Sequence, residues 1–196
     1  MANEYATRAA LKLRLNIEVD DTTRDELLDG ALAAASRGID TATGRRFWLD
    51  TAPSIRTFRM AGRVVRDDAG TRLLLDDIGA DPVLVESGSA DSWAAISDYD
   101  TAPDNALVRG RPITALARST SGWLGGPRVR VTARWGWPVV PDEIAEATLI
   151  QAARLYRRKD SPEGVTGSAE WGVVRLSRRD PDVWALIEHF VVPGFG

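Results

Sequence analysis

The chain has 196 residues, 44% hydrophobic and 27% charged, a globular balance that excludes a disordered chain and can build a core without staples. It contains no cysteine, which excludes disulfides, thiolate catalysis and zinc sites built on sulfur. A net charge of -3, from 25 basic and 28 acidic residues, gives no overall pull toward nucleic acid or an anionic membrane.

The opening segment, Met1-Ala2-Asn3-Glu4-Tyr5, lacks a basic stretch leading into an apolar run, so no signal peptide is expected. No apolar stretch approaches the roughly 20 residues that span a bilayer, and a soluble chain is expected. Ala10, Leu11 and Leu15 lie at helical spacing and predict a short helix over 7–15. Thr23-Arg24-Asp25-Glu26 has the pattern of a capping box, in which Thr23 accepts from the free amide of Glu26 and Glu26 reaches back. Leu28, Leu32, Ala35, Ile39 and Ala42 then form one apolar stripe, and Gly44 supplies a left-handed stop. These signals predict a second helix over 23–43.

From Arg45 the period changes. Strands are expected over 55–60, 63–66, 72–75, 82–86 and 113–118, separated by turn chemistry such as Asp67-Asp68-Ala69-Gly70 and Ser87-Gly88-Ser89. Arg128 to Trp135 alternates strictly, with Val129, Val131, Ala133 and Trp135 on one face and arginines with Thr132 on the other. Short strands with tight turns and no helical crossover predict an antiparallel sheet.

Pro138 and Pro141 bracket the return to helix. Ile144, Thr148, Gln151, Ala152, Leu155 and Tyr156 predict a third helix over 141–159, with Asp142 and Glu143 at its positive end and Arg157, Arg158 and Lys159 at its negative end. A strand is expected over 171–176. Asp180-Pro181 opens a last helix, with Asp as cap and Pro at the first position. Val183, Leu186, Ile187 and Phe190 give its apolar face, and Pro193 forbids its continuation into the final residues. The expected fold is therefore α+β. A helical domain from residues 1–44 and 136–196 carries an inserted antiparallel β-rich domain, residues 45–135.

No catalytic or metal-binding constellation is read from these residues. His189 is the lone histidine and closes the last helix, where a cation offsets the dipole. None of the patterns H-E-x-x-H, G-x-S-x-G or G-x-x-x-x-G-K-[ST] occurs. The pairs Asp20-Asp21, Asp67-Asp68 and Asp76-Asp77 could serve a glycosidase or a hard cation. The first precedes a helix cap, however, and the second lies in a turn. Basic clusters at 154–159, at Arg128, Arg130 and Arg134, and at Arg175, Arg178 and Arg179 are explained by a helix end and a solvated strand face. Seven tryptophans are many for this length; most are expected in the core, and any exposed ones at subunit contacts.

Several of these strings resemble the head-to-tail connector, or adaptor, proteins of tailed bacteriophages. They are Tyr5-Ala6-Thr7 through Leu11-Lys12 and Arg14-Leu15, then Asp25-Glu26-Leu27-Leu28, Ala34-Ala35-Ser36-Arg37, Ile39-Asp40 and Thr43-Gly44-Arg45-Arg46-Phe47. Arg134-Trp135-Gly136-Trp137-Pro138, Pro141-Asp142-Glu143-Ile144, Ala152-Ala153-Arg154-Leu155-Tyr156 and Asp160-Ser161-Pro162 continue it. Trp171-Gly172-Val173-Val174-Arg175 and Asp180-Pro181-Asp182-Val183 complete it. The likeness covers the helical segments. Over 48–127 it extends only to the idea of a β insertion, as in the longer, actinophage-like members.

The resemblance implies a non-enzymatic virion protein without cofactor or metal, assembled in the host cytoplasm and located at the virion neck. It implies a ring, usually of twelve copies, below the portal protein. That ring extends the channel through which genomic DNA passes without sequence recognition, and it offers a platform to a stopper or tail protein. It also gives a use to the non-helical end: Val191, Val192, Pro193 and Phe195 are expected to form a tail docking on the portal, with Phe195 as anchor. Candidates for subunit contacts are Arg37, Arg154, Tyr156 and Arg157. Two other classes stay open on the residues alone, a cytosolic enzyme using carboxylates and a binding module whose β insertion reads a receptor or polysaccharide.

Overall fold

The computed structural model describes residues 3–67, 70–118, 122–123, 126–158, 165–166, 174–175 and 180–192. The chain is α+β and divides into two compact units, one from Met1–Arg45 with Val140–Gly196 and one from Arg46–Val139.

The first unit is helical. Its α1, Arg8–Leu15, begins where the Thr7 hydroxyl accepts from the Ala10 amide, and ends where Asn16 turns left-handed. Helix α2, Asp25–Thr43, ends at Gly44, whose φ of 67° is the conformation only glycine enters without a Cβ penalty. The capping box expected at its start is absent: Arg24 holds the cap position and no side chain caps the helix. Thr23 is taken instead by Asp21, whose Oδ1 accepts from the Thr23 amide at 3.0 Å and hydroxyl at 2.5 Å. A carboxylate two residues upstream offers Thr23 both bonds without waiting for the helix to form. Helix α3 is Asp142–Arg158 and α4 is Pro181–Ile187, the latter followed by a 3₁₀ turn, Glu188–Phe190. Asp180 caps α4 with Pro181 in its first turn, as the sequence predicts.

Leu11, Leu28 and Leu32 pack with Ala31, Ala35, Ala152, Ala153 and Tyr156 into one core. The alanines on the facing sides of α2 and α3 let the two helices approach closely. Each fully buried leucine contributes about 2 kcal/mol. Of the expected strand at 171–176, Val174–Arg175 lies among the described residues and pairs antiparallel with Val165–Thr166.

The second unit contains two four-stranded antiparallel sheets. Its strands are β1 Ser54–Arg59, β2 Val64–Asp67, β3 Gly70–Ile78, β4 Leu84–Ser89, β5 Ser92–Ala95, β6 Asp100–Ala102, β7 Ile113–Arg118 and β8 Arg128–Ala133. One sheet runs β1-β8-β4-β5 and the other β2-β3-β7-β6. Phe58, Val85, Val129, Val131 and Ala133 from the first meet Leu73, Leu75, Ile113 and Leu116 from the second in a shared core. The alternation of β8 is therefore correct in phase. The arginine face of β8 is less solvated than expected, because Arg130 pairs with Glu86 through both Nε and a terminal nitrogen, at 2.6 and 2.8 Å. Entry and exit of the unit are clasped together: Phe47 packs on Trp137 with centroids 5.1 Å apart, and the Asp50 amide donates to the Trp135 carbonyl at 2.9 Å.

Candidate functional site

The last described residues of the chain are anchored to the end of α2. Arg45 donates through Nε to the Phe190 carbonyl at 2.7 Å, and the Val192 amide donates to the Thr43 carbonyl at 2.8 Å. Val191 is half-buried, while Val192 is 38% exposed with its side chain against the position of Gly44. Pro193 and Phe195, the remaining residues of the expected docking tail, lie outside the described residues. Thr43 donates its own hydroxyl to the Ile39 carbonyl one turn earlier, and its carbonyl is open to Val192 because the helix ends there. The partnership of Thr43 and Val192 carries no sequence signal, since it joins residues far apart in the chain.

The four arginine and tyrosine candidates divide. Arg37 donates to Asp40 and to the Asn3 carbonyl, both at 2.8 Å, and lies over the Tyr5 ring, so it pins the N-terminal segment on α2. Tyr5 is itself buried and its hydroxyl donates to Asp40. Arg154 pairs with Asp180 at 2.7 Å and ties α3 to the start of α4. Tyr156 is buried and accepts from Arg24 at 3.3 Å. Arg37 and Arg157 are exposed, whereas Arg154 is half-buried. These residues are not brought together at one place on the surface.

A feature not foreseen from sequence is the buried Lys12. Its ammonium reaches Asp25 at 2.7 Å and the carbonyls of Val19 and Asp21 at 2.9 and 2.7 Å. The ammonium donates to two carbonyls and forms an ion pair with a carboxylate. The turn Glu18–Asp21, closed by an Asp21 amide to Glu18 carbonyl bond of 3.1 Å, is thereby locked, with Glu18, Val19 and Asp20 all exposed at its tip. The two hydrogen bonds from Thr23 hold the Asp21 carboxyl below its ordinary range. A lone lysine one helical turn into an apolar stripe could have been read as such a clasp.

Of the carboxylates considered for chemistry, Asp21, Asp76 and Asp77 are engaged in structure, while Asp20 is exposed. Asp76 pairs with Arg56 at 2.9 Å, Asp77 accepts from the Trp137 indole at 2.9 Å, and Asp25 and Asp29 share Arg8 at 3.3 and 2.8 Å. Asp68 lies outside the described residues. Among the described residues no three His, Asp or Glu side chains converge in a way that could hold a metal ion. His189 is exposed on the 3₁₀ turn, stacked on Phe190 with centroids 4.0 Å apart. Among the described tryptophans, Trp123, Trp135 and Trp137 are buried and Trp48, Trp93 and Trp184 half-buried. No helix of the described residues is long and apolar enough to cross a membrane.

The outer face of the β1-β8-β4-β5 sheet carries another arrangement. The register sets Ile55, Thr132 and Leu84 in one row, Thr57, Arg130 and Glu86 in the next, and Arg59, Arg128 and Gly88 in a third. Arg130 also lies 4.5 Å over the Trp93 ring. Its hydrogen bonds hold the Glu86 carboxyl below its ordinary range and push the Arg130 guanidinium up.

No protein-family model matches this sequence, and no curated protein matches it. Solved structures do. A chain in the neck of an empty GTA particle, computed with C6 symmetry, superposes with a TM-score of 0.58 at 19% identity, covering 100% of this chain and 94% of that one. This chain shares that neck chain's fold. A chain in the virion of a native gene transfer agent (GTA) particle superposes with a TM-score of 0.54 at 20% identity, again over 100% of this chain and 94% of that one. Both likenesses take in the helical and the β unit, including residues 48–127, where the sequence offered only a general resemblance.

Proposed function

We propose that this chain is a non-enzymatic structural component of the neck of a phage-like particle, an adaptor that forms a ring below the portal, extends the DNA channel and receives a stopper or tail protein. The observation that carries the reading is the fold shared, over the whole chain, with a chain from the neck of a GTA particle. The sequence reading arrives at the same place independently, through strings in the helical unit that resemble phage adaptors. A ring follows when identical subunits meet through unlike surfaces and the rotation closes. Twelve copies are the expected number, and the membrane has no part in the assembly.

In this reading the last residues dock on the portal. Of the tail Val191, Val192, Pro193 and Phe195, Val192 is in addition bonded to the end of α2 within the same unit. The test is co-expression with the cognate portal protein, followed by affinity capture and negative-stain imaging. Rings of this chain on the portal are expected, and a chain that never co-purifies with the portal overturns the reading. Truncation after Val192 and the substitution Phe195→Ala are each expected to lower portal capture by about tenfold or more, as loss of one buried aromatic per subunit implies. Full-strength capture by the truncated chain moves the portal contact elsewhere.

A further inference from the structure

The outer face of the β1-β8-β4-β5 sheet holds two arginines in an unfavourable arrangement. Arg59 and Arg128 are directly opposite one another on neighbouring antiparallel strands, and both are exposed. Like charges at directly opposed positions destabilise a sheet. Among the described residues neither has an ion-pair partner. The one carboxylate at an outer position of this face, Glu86, is engaged by Arg130, and Asp91 lies beyond it in the turn between β4 and β5. Two rows away, on the same face, Ile55 is 61% and Leu84 41% exposed, on either side of Thr132. With strands about 4.8 Å apart and residues about 3.4 Å along each, the patch is roughly 10 Å by 14 Å. It joins an uncompensated double cation to an apolar shelf. A phosphodiester backbone would neutralise the arginines but leave Ile55 and Leu84 in water. A short protein segment with carboxylates beside an aliphatic side chain covers both.

The helical unit offers such a segment. At the tip of the Glu18–Asp21 turn, Val19 is 64% exposed between the exposed carboxylates of Glu18 and Asp20. Among the described residues neither carboxylate has an ion-pair partner. Lys12 locks the backbone of the turn from beneath, so docking it costs little conformational entropy. We propose that the Glu18–Asp21 turn of one copy docks on the outer face of the β1-β8-β4-β5 sheet of a neighbouring copy. Val19 covers Ile55 and Leu84, and Glu18 and Asp20 neutralise Arg59 and Arg128. The two surfaces are unlike, as a closed ring requires. The inference rests on the ring reading above and names the contact that builds it.

The test is a charge swap, read as ring occupancy on co-expressed portal, with folding of each variant checked by circular dichroism. Arg59→Glu with Arg128→Glu, and separately Glu18→Arg with Asp20→Arg, are each expected to lower occupancy about tenfold or more. All four substitutions in one chain restore occupancy to within about threefold of the parent, because every contact regains opposite charges. Wild-type occupancy in both double variants, or no restoration in the folded quadruple variant, overturns the contact while leaving the ring intact. A photo-cross-linker placed at position 19 supplies a readout that needs no portal. In concentrated protein it is expected to yield a dimer joined to a peptide containing Ile55 or Leu84. Absence of that product overturns the contact, whereas absence of any ring on the portal counts against the ring reading. A short DNA duplex is the third arm. If Arg59→Glu with Arg128→Glu abolishes its binding while rings form normally, the face takes phosphate and the proposal is wrong.

Discussion

Lys12 is 3% exposed. Its replacement by Met keeps the aliphatic stem and removes the ammonium, so the Val19 and Asp21 carbonyls lose a donor and Asp25 loses an ion-pair partner. Arg8 remains 3.3 Å from Asp25 and limits the damage. We expect Lys12→Met to cost about 2 kcal/mol, measured by urea unfolding, and to raise hydrogen exchange in the Glu18–Asp21 turn. Glu86 gives a pH signature. Its folded-state carboxyl titrates below the ordinary range, chiefly because Arg130 donates to it. The resulting stabilisation is present above the ordinary carboxylate pKa and disappears as the pH falls through the lower, folded value. Glu86→Gln is therefore expected to flatten the loss of thermal stability between about pH 5 and about pH 3. An unchanged slope would place the acid sensitivity elsewhere. At this scale the sequence is legible where one side chain decides the outcome. Gly44 and Asp180 take the roles their chemistry dictates. Thr23 does not, because two neighbouring acceptors compete for it and the nearer one, Asp21, takes it before the helix forms.

Helix α4 rests on Asp180 twice over. One carboxylate oxygen accepts from the amides of Asp182 and Val183 at 2.9 and 3.3 Å, and the other pairs with Arg154 at 2.7 Å. A graded series separates the two functions. Asp180→Ser retains a capping oxygen and loses the ion pair, for an expected cost below about 1 kcal/mol. Asp180→Ala loses both and is expected to cost about 1 kcal/mol more. Equal effects in thermal melts would mean that the cap contributes nothing. The long helices and the strand β8 are visible in sequence because one face of each is apolar at a constant period. Strands β5 and β6 are not: Ser92–Ala95 and Asp100–Ala102 are short edge strands rich in Ser, Asp and Ala. Their pairing comes from β4 and β7 alongside them rather than from any pattern of their own. Arg37, Arg154 and Tyr156 show the same limit for the site. Expected at subunit contacts, they also make contacts within the helical unit with partners distant in sequence, which no local pattern shows.

The division of the whole chain into a helical unit made from both ends and a β unit made from one continuous stretch suggests that the second is self-sufficient. Residues 46–139 expressed alone are expected to melt cooperatively with an antiparallel far-ultraviolet signature. A disordered product would show that the helical unit is needed to close the sheets. Gly136 supplies a stringent check on the clasp. Its φ is 109°, and a Cβ there would lie 1.9 Å from the Trp48 carbonyl oxygen. Gly136→Ala is therefore expected to cost more than about 2 kcal/mol in the isolated segment. The α+β class and the switch from helical to alternating period were legible in the chain, because periodicity is a local property. The arrangement of strands in two sheets was not, since β1 pairs with β8 and β3 with β7 across long intervals of sequence. The clasp of Phe47 on Trp137 also bears on how such a gene changes. Because the β unit begins and ends at one place, a single recombination event at the Arg46 and Val139 junctions could exchange the whole of it for another domain with neighbouring ends. The hydrophobic register of α2 and α3 would be untouched. The two halves of the gene are thus free to diverge at different rates, one constrained by its packing partners and the other by whatever it meets outside.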